Sequence, residues 1–125
     1  MKIPTRTKPV VTRPIARFRM RVTSGEAIAV GPWKIALLEA IQATHSITQA
    51  AKSLDMSYRR AWMLIDQLNS SLKKPAVAST NGGKDGGGSQ LTAVGVALLA
   101  VYRRIEERAA EACANEIDAL VDLVK

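Results

Sequence analysis

The chain has 125 residues, enough for one domain with a modest core. Its 47% apolar and 23% charged residues exclude a wholly disordered chain, and no uncharged apolar run nears the roughly 18–20 residues of a membrane span. The net charge of +7 is unevenly placed, +8 over residues 1–60 and −2 over residues 91–125, so a polyanion-facing half and a half with another task are expected.

The basic N-terminus has no continuous apolar stretch of the secretory kind. The one cysteine, Cys113, cannot close an intrachain disulfide, which fits a reducing cytoplasm. Residues 1–16 carry Pro4, Pro9 and Pro14 and no acid, and read as an extended, disordered basic arm. From residue 15 the pattern alternates: Ile15, Arg17, Arg19 and Arg21 against Ala16, Phe18, Met20 and Val22. Period two predicts a strand over residues 15–22 with an arginine face. Thr23 to Glu26 reads as a turn, and residues 27–30 as the returning strand of a hairpin.

Gly31-Pro32 then opens a helix over residues 33–43, with Trp33, Leu37, Leu38 and Ile41 on one side. Trp33 and Trp62 are expected in the core. Ser46-Ile47-Thr48-Gln49 matches a capping box and starts a short helix ending near Leu54. Small Ala50 and Ala51 allow close approach of the next helix. Asp55-Met56-Ser57 is a tight connection, and Ser57 caps that helix, with Ala61, Trp62, Leu64, Ile65 and Leu68 as its apolar positions. Pro75 prevents its continuation. Residues 76–80 are strand-compatible, Asn81-Gly82 is a hairpin-turn signal, and residues 89–91 can return as a strand. The glycines of residues 82–88 predict a projecting loop.

Thr92 caps a final helix expected to run toward Val124. Leu98, Tyr102, Ile105, Ala109, Cys113, Ile117, Leu120 and Val124 recur at steps of three or four and form one apolar stripe. So small a domain cannot cover such a stripe, so a second copy is expected to pack there as a homodimer. The fold class expected is mainly α (α+β): a winged helix-turn-helix with an N-terminal β-hairpin, a glycine-rich wing and a long C-terminal dimerisation helix. The division expected is an arm (residues 1–16), a DNA-binding domain (residues 17–91) and the long helix (residues 92–125).

Function concentrates at Ser57-Tyr58-Arg59-Arg60. Two arginines in a helix's first turn oppose its dipole, which favours anions there. Double-stranded DNA supplies the compensation, because arginine binds guanine O6 and N7 or a phosphate, while Ser57 and Tyr58 can donate to phosphates. The plain alternative is a solvated arginine pair beside an ordinary cap; the helix-turn-helix spacing in front of it favours DNA. Thr48 and Gln49 start the preceding helix, whose free N–H groups can take a phosphate, although capping alone explains Gln49 equally well. Lys84 in the glycine loop can enter a minor groove or touch phosphate. Lys52 reads as a solvated flank, and Arg17, Arg19 and Arg21 as general electrostatic attraction.

Other chemistry is weakly supported. No Gly-Lys-Ser/Thr follows the glycine segment, so it is not a P-loop. His45 reads as a loop residue and Cys113 as packing. No cluster has metal-ligand spacing, and no nucleophile is paired with a base, so no enzyme, metal or cofactor is expected. Two rivals to a sequence-specific regulator stand: an architectural DNA- or RNA-binding protein, and a winged helix that meets an acidic protein.

Gly31-Pro32-Trp33-Lys34-Ile35-Ala36-Leu37-Leu38-Glu39-Ala40-Ile41, Ser46-Ile47-Thr48-Gln49-Ala50-Ala51, Met56-Ser57-Tyr58-Arg59-Arg60-Ala61-Trp62, the Gly82 to Gly88 loop and Leu91-Thr92 follow in order. Over roughly residues 17–110 this resembles the N-terminal DNA-binding domain of the ModE molybdate-responsive transcription regulators, which is akin to the LysR-type winged helix. The resemblance implies a cytoplasmic homodimer joined through the first and last helices, a recognition helix carrying Ser57, Tyr58, Arg59 and Arg60, a wing carrying Lys84, and control of molybdate uptake or molybdoenzyme genes. Two residues depart from the pattern. Asp55 stands where the turn usually has glycine, and aspartate tolerates the left-handed conformation; Asp85 interrupts the glycine run of the wing. Regulators of this kind continue into a pair of molybdate-binding domains, whereas this sequence stops at Lys125. The expectation is a stand-alone DNA-binding form that has no molybdate-binding domain of its own and either responds through a separate molybdate-sensing partner, competes with a full-length regulator, or acts constitutively.

Overall fold

Gly25 takes a φ of +62°, the left-handed turn that joins Val22–Ser24 (β1) to Ala27–Val30 (β2). The computed structural model describes residues 13–80 and 88–125. The two strands pair antiparallel as Val22 with Val30, Thr23 with Ile28 and Ser24 with Ala27. The strand predicted over residues 15–22 is not formed, and only Val22 joins the ladder. Among the described residues no strand lies beside residues 13–21 to complete their alternation. They are held instead by side chains of the C-terminal helices: the Tyr102 hydroxyl donates to the Met20 carbonyl at 2.7 Å, and Arg13 meets Asp122 at 3.0 Å and Asp118 at 3.7 Å.

Pro32 occupies the first turn of Pro32–Thr44 (α1), where its missing N–H costs nothing. The helix ends at His45, whose φ of 57° turns the chain and whose N–H closes on the Ile41 carbonyl. Ile47–Ser53 (α2) follows, then Tyr58–Ser71 (α3). Asp55 takes a φ of 57° between them, as the aspartate at that position was expected to do. The Met56 N–H reaches back to the Ala51 carbonyl at 3.0 Å, and Ala50 and Ala51 are buried where the two helices meet. One core gathers Ile35, Leu37, Leu38 and Ile41 of α1, Ile47, Ala50 and Ala51 of α2 and Leu64, Ile65 and Leu68 of α3, with Val30 from β2 and Leu99 and Tyr102 from later in the chain. Each Val, Leu or Ile side chain among them contributes about 1.5–3 kcal/mol of transfer free energy.

Val77–Ser79 (β3) and Ser89–Leu91 (β4) pair antiparallel, Val77 with Leu91, Ala78 with Gln90 and Ser79 with Ser89. Asn69 of α3 fixes the start of this hairpin. Its amide donates to the Val77 carbonyl at 3.1 Å and accepts from the Ala76 and Val77 N–H groups at 2.8 and 3.2 Å. Replacing it with alanine leaves three backbone groups near the core without partners. Asn69→Ala is therefore expected to cost about 2–3 kcal/mol in chemical denaturation, and Asn69→Asp, which keeps the acceptor, less than that. A loss below about 0.5 kcal/mol would show that water replaces the amide.

Thr92 caps Ala93–Ala112 (α4), accepting from the Gly95 N–H at 3.1 Å while its hydroxyl donates to the Pro75 carbonyl at 2.7 Å. Arg103 of α4 bridges Glu39 of α1 and Glu106, each at 2.8 Å, and those hydrogen bonds raise its pKa further above the ordinary arginine value. The single helix expected over residues 92–125 is two: α4 ends at Ala112, and Ala114–Val121 (α5) follows a break at Cys113, with φ −108° and ψ 18°. Neither glycine nor proline marks that break. The redirected α5 is the helix that meets Arg13 and buries Val121. Val124 lies beyond its end. The described residues thus form a mainly α, α+β fold of five helices and two small antiparallel sheets.

Candidate nucleic-acid interface

The start of α3 is built by Ser57. Its hydroxyl oxygen accepts from the Arg60 N–H at 3.1 Å, which satisfies one orphan donor of the first turn. The cap holds Tyr58, Arg59 and Arg60 on exposed backbone. Tyr58 is 53% exposed and meets Trp62 edge-on, with ring centroids 6.2 Å apart. Arg59 has no hydrogen-bond or ion-pair partner among the described residues. Arg60 differs: its guanidinium lies over the Trp33 ring, 5.9 Å from the centroid. Trp33, expected in the core, is 47% exposed and serves as a platform for that arginine. Trp62, on the inner side of α3, is half-buried against the core.

Ser46 caps α2 in the same way, accepting from the Gln49 N–H at 3.1 Å. The returning half of the predicted capping box is absent among the described bonds, and the Ser46 N–H donates to the Thr44 hydroxyl at 3.3 Å. Thr48 and Gln49 are exposed. The fold brings Ser46, Thr48 and Tyr58 together with Thr80 and Ser89 of the β3–β4 hairpin around a polar cleft of about 230 Å³. Gln49 does not line it. Lys84 and the glycine-rich loop over residues 81–87 lie outside the described residues, as do residues 1–12 of the predicted arm.

Lys34 was missed by sequence reasoning. It is only 6% exposed and donates to the Ile28 carbonyl, and burial pushes its pKa below the ordinary lysine value. The signal available was its place beside Trp33 in the first turn of a helix whose apolar face follows. The partner that covers it lies on the preceding hairpin.

The residues assigned to dimerisation divide. Tyr102 is 3% exposed and Leu98 packs on the core, so both are engaged within their own chain. Burial, with the nearby Glu106 charge, raises the Tyr102 pKa. Ile105, Leu120 and Val124 are exposed, Ala109 and Ile117 half-buried, and Cys113, expected to pack, is exposed at the break. Val101 adds to the exposed apolar surface of α4. Among the described residues no group of three histidine, cysteine or acidic side chains has metal-binding geometry, and no helix is long and apolar enough to cross a membrane.

No protein-family model matches the chain. Three curated proteins illustrate what it is similar to. The Molybdenum transport protein ModE of Azotobacter vinelandii is 41% identical over 95 residues, 76% of this chain and 34% of that protein. The Molybdenum-pterin-binding protein MopB of Rhodobacter capsulatus is 43% identical over 77 residues, 62% of this chain and 28% of that protein. The DNA-binding transcriptional dual regulator ModE of Escherichia coli K12 is 36% identical over 92 residues, 71% of this chain and 35% of that protein. The chain spans about a third of the length of these relatives. Over the N-terminal part that they share, homologues named ModE are 36–44% identical to this chain.

Proposed function

We propose that this chain is a sequence-specific, DNA-binding transcription regulator of the winged helix-turn-helix type, acting on genes of molybdate transport or molybdoenzymes. The observation that carries the reading is the start of α3. A capped helix follows a tight turn from α2 and presents Tyr58 and an unneutralised Arg59 to solvent. A recognition helix enters the major groove by its N-terminal residues in this manner. The cleft that joins Thr48 and Tyr58 to the β3–β4 hairpin suits a backbone phosphate, held by hydroxyl donors. The relatives add support, since the Escherichia coli protein is named a DNA-binding transcriptional dual regulator and two others carry molybdenum in their names. We propose Lys84, which lies outside the described residues, as a further DNA contact. The exposed apolar residues Val101, Ile105 and Leu120 support a homodimer, since single-chain packing leaves them uncovered.

Selection of bound sequences from a random duplex pool tests the reading. The expected product is a palindrome whose half-sites lie about one helical turn, or a multiple, apart. Affinity for it is expected to fall with salt at a log–log slope near −0.9 per phosphate neutralised. Enrichment of no sequence, with the same salt slope, would instead make the chain an architectural binder. A flat slope would remove nucleic acid from the account.

A further inference from the structure

A cleft of about 170 Å³ opens beside Arg60, between the β1–β2 hairpin and the starts of α1 and α3. Arg21, Trp33, Lys34, Arg60 and Gln67 line it, together with the apolar Ile28. Three of these are cations. No carboxylate lines the cleft, and none lies within ion-pair distance of Arg21, Lys34 or Arg60 among the described residues. Burying the Lys34 ammonium in a cleft lined by two further cations costs desolvation. Such a cost without internal compensation is expected at a binding site. The Lys34 ammonium has three donors and spends one on the Ile28 carbonyl. Arg60 is held in place by its stacking on Trp33. The lining is rich in donors and bounded by apolar surface. At about 30 Å³ per water-sized group it has room for several heavy atoms.

We propose that this cleft is an oxyanion site, built to take a tetrahedral, phosphate-like group between Arg21, Lys34 and Arg60. An anion there offsets the desolvation and returns the Lys34 ammonium toward its ordinary basicity. The same chemistry is offered by a free inorganic oxyanion and by a phosphate of a DNA backbone; only the second source rests on the DNA-binding reading.

Titration of the whole chain with inorganic phosphate, followed by NMR at the Trp33 indole N–H and the Lys34 side chain, tests the first source. Saturable shifts are expected, and they are lost in Arg21→Gln and Lys34→Met. Arg21 is exposed, so its variant remains informative if the loss of Lys34 disturbs the fold. Binding to a short duplex tests the second. A backbone phosphate in the cleft competes with inorganic phosphate, and Arg21→Gln then lowers the salt slope by about 0.9 on any sequence. Phosphate binding with an unchanged slope and no competition assigns the site to a free oxyanion. Shifts that persist undiminished in both variants overturn the proposal, as does the absence of both a saturable shift and a slope change. Phosphate binding by a chain that takes no duplex at all would sink the DNA reading and leave the cleft standing.

Discussion

Gly95→Ala is expected to destabilise the fold by about 3 kcal/mol or more. The fall would be read as a lower denaturant midpoint at an unchanged slope. A Cβ at this position would stand 2.2 Å from the Ala76 carbonyl oxygen, 3.1 Å from its carbon and 3.2 Å from the Leu91 Cβ. The carbonyl has little room to yield. It accepts from the Thr92 N–H at 2.9 Å, and the Ala76 N–H is held by Asn69 at 2.8 Å. Helix propensity alone predicts the opposite sign, since alanine in a helix is better than glycine by about 1 kcal/mol. The clash is larger than that preference, so the sign of the measured change decides between them. A neutral or stabilising result would mean that α4 and β3 separate more easily than their hydrogen bonds suggest.

Arg59→Ala is expected to weaken binding to the selected palindrome by about 1–3 kcal/mol while leaving binding to random duplex nearly unchanged. Arg60→Ala is expected to weaken both about equally and to reduce the salt slope by about one phosphate's worth. The contrast follows from where the two guanidiniums lie. Arg59 is exposed at the first turn with no described partner, whereas Arg60 leans onto Trp33 beside Arg21 and Lys34. Equal losses for Arg59→Ala on both duplexes, measured by fluorescence anisotropy at fixed salt, would move Arg59 from base reading to backbone contact.

Local signals in the sequence were legible. Ser46, Ser57 and Thr92 each cap the helix expected, because a hydroxyl three residues before a free N–H needs no distant partner. Asp55 takes the left-handed turn, and the β3 and β4 segments pair where the chain pattern placed them. What escaped was decided by distant parts of the chain. Alternation over residues 15–22 described a strand, but a strand requires a neighbour, and Tyr102 and Arg13 contacts took its place. Trp33 looked like core because its spacing put it on one side with Leu37, Leu38 and Ile41, yet it sits at the helix start, 47% exposed, with Arg60 over its ring. Lys34 drew no reading from its sequence position, and the hairpin carbonyl of Ile28 that holds it lies outside its own helix. The apolar stripe of the last helix was correctly seen as apolar, but spacing could not show that Tyr102 faces inward or that the helix turns at Cys113. At the site, the residue types at the start of α3 were legible, while the divided orientation of Arg59 and Arg60 required the fold.

The bond between the Tyr102 hydroxyl and the Met20 carbonyl joins residues 82 apart in sequence. On a ribosome that delivers the N-terminus first, the β1–β2 hairpin and helices α1 to α3 emerge before this donor, and before Leu99, which is part of the same core. Closing so wide a loop costs only slowly growing entropy, but it must wait for its last participant. Assembly of the domain therefore has a natural order: the first three helices are made first, and the residues that close both the core and the seam between the chain ends come last.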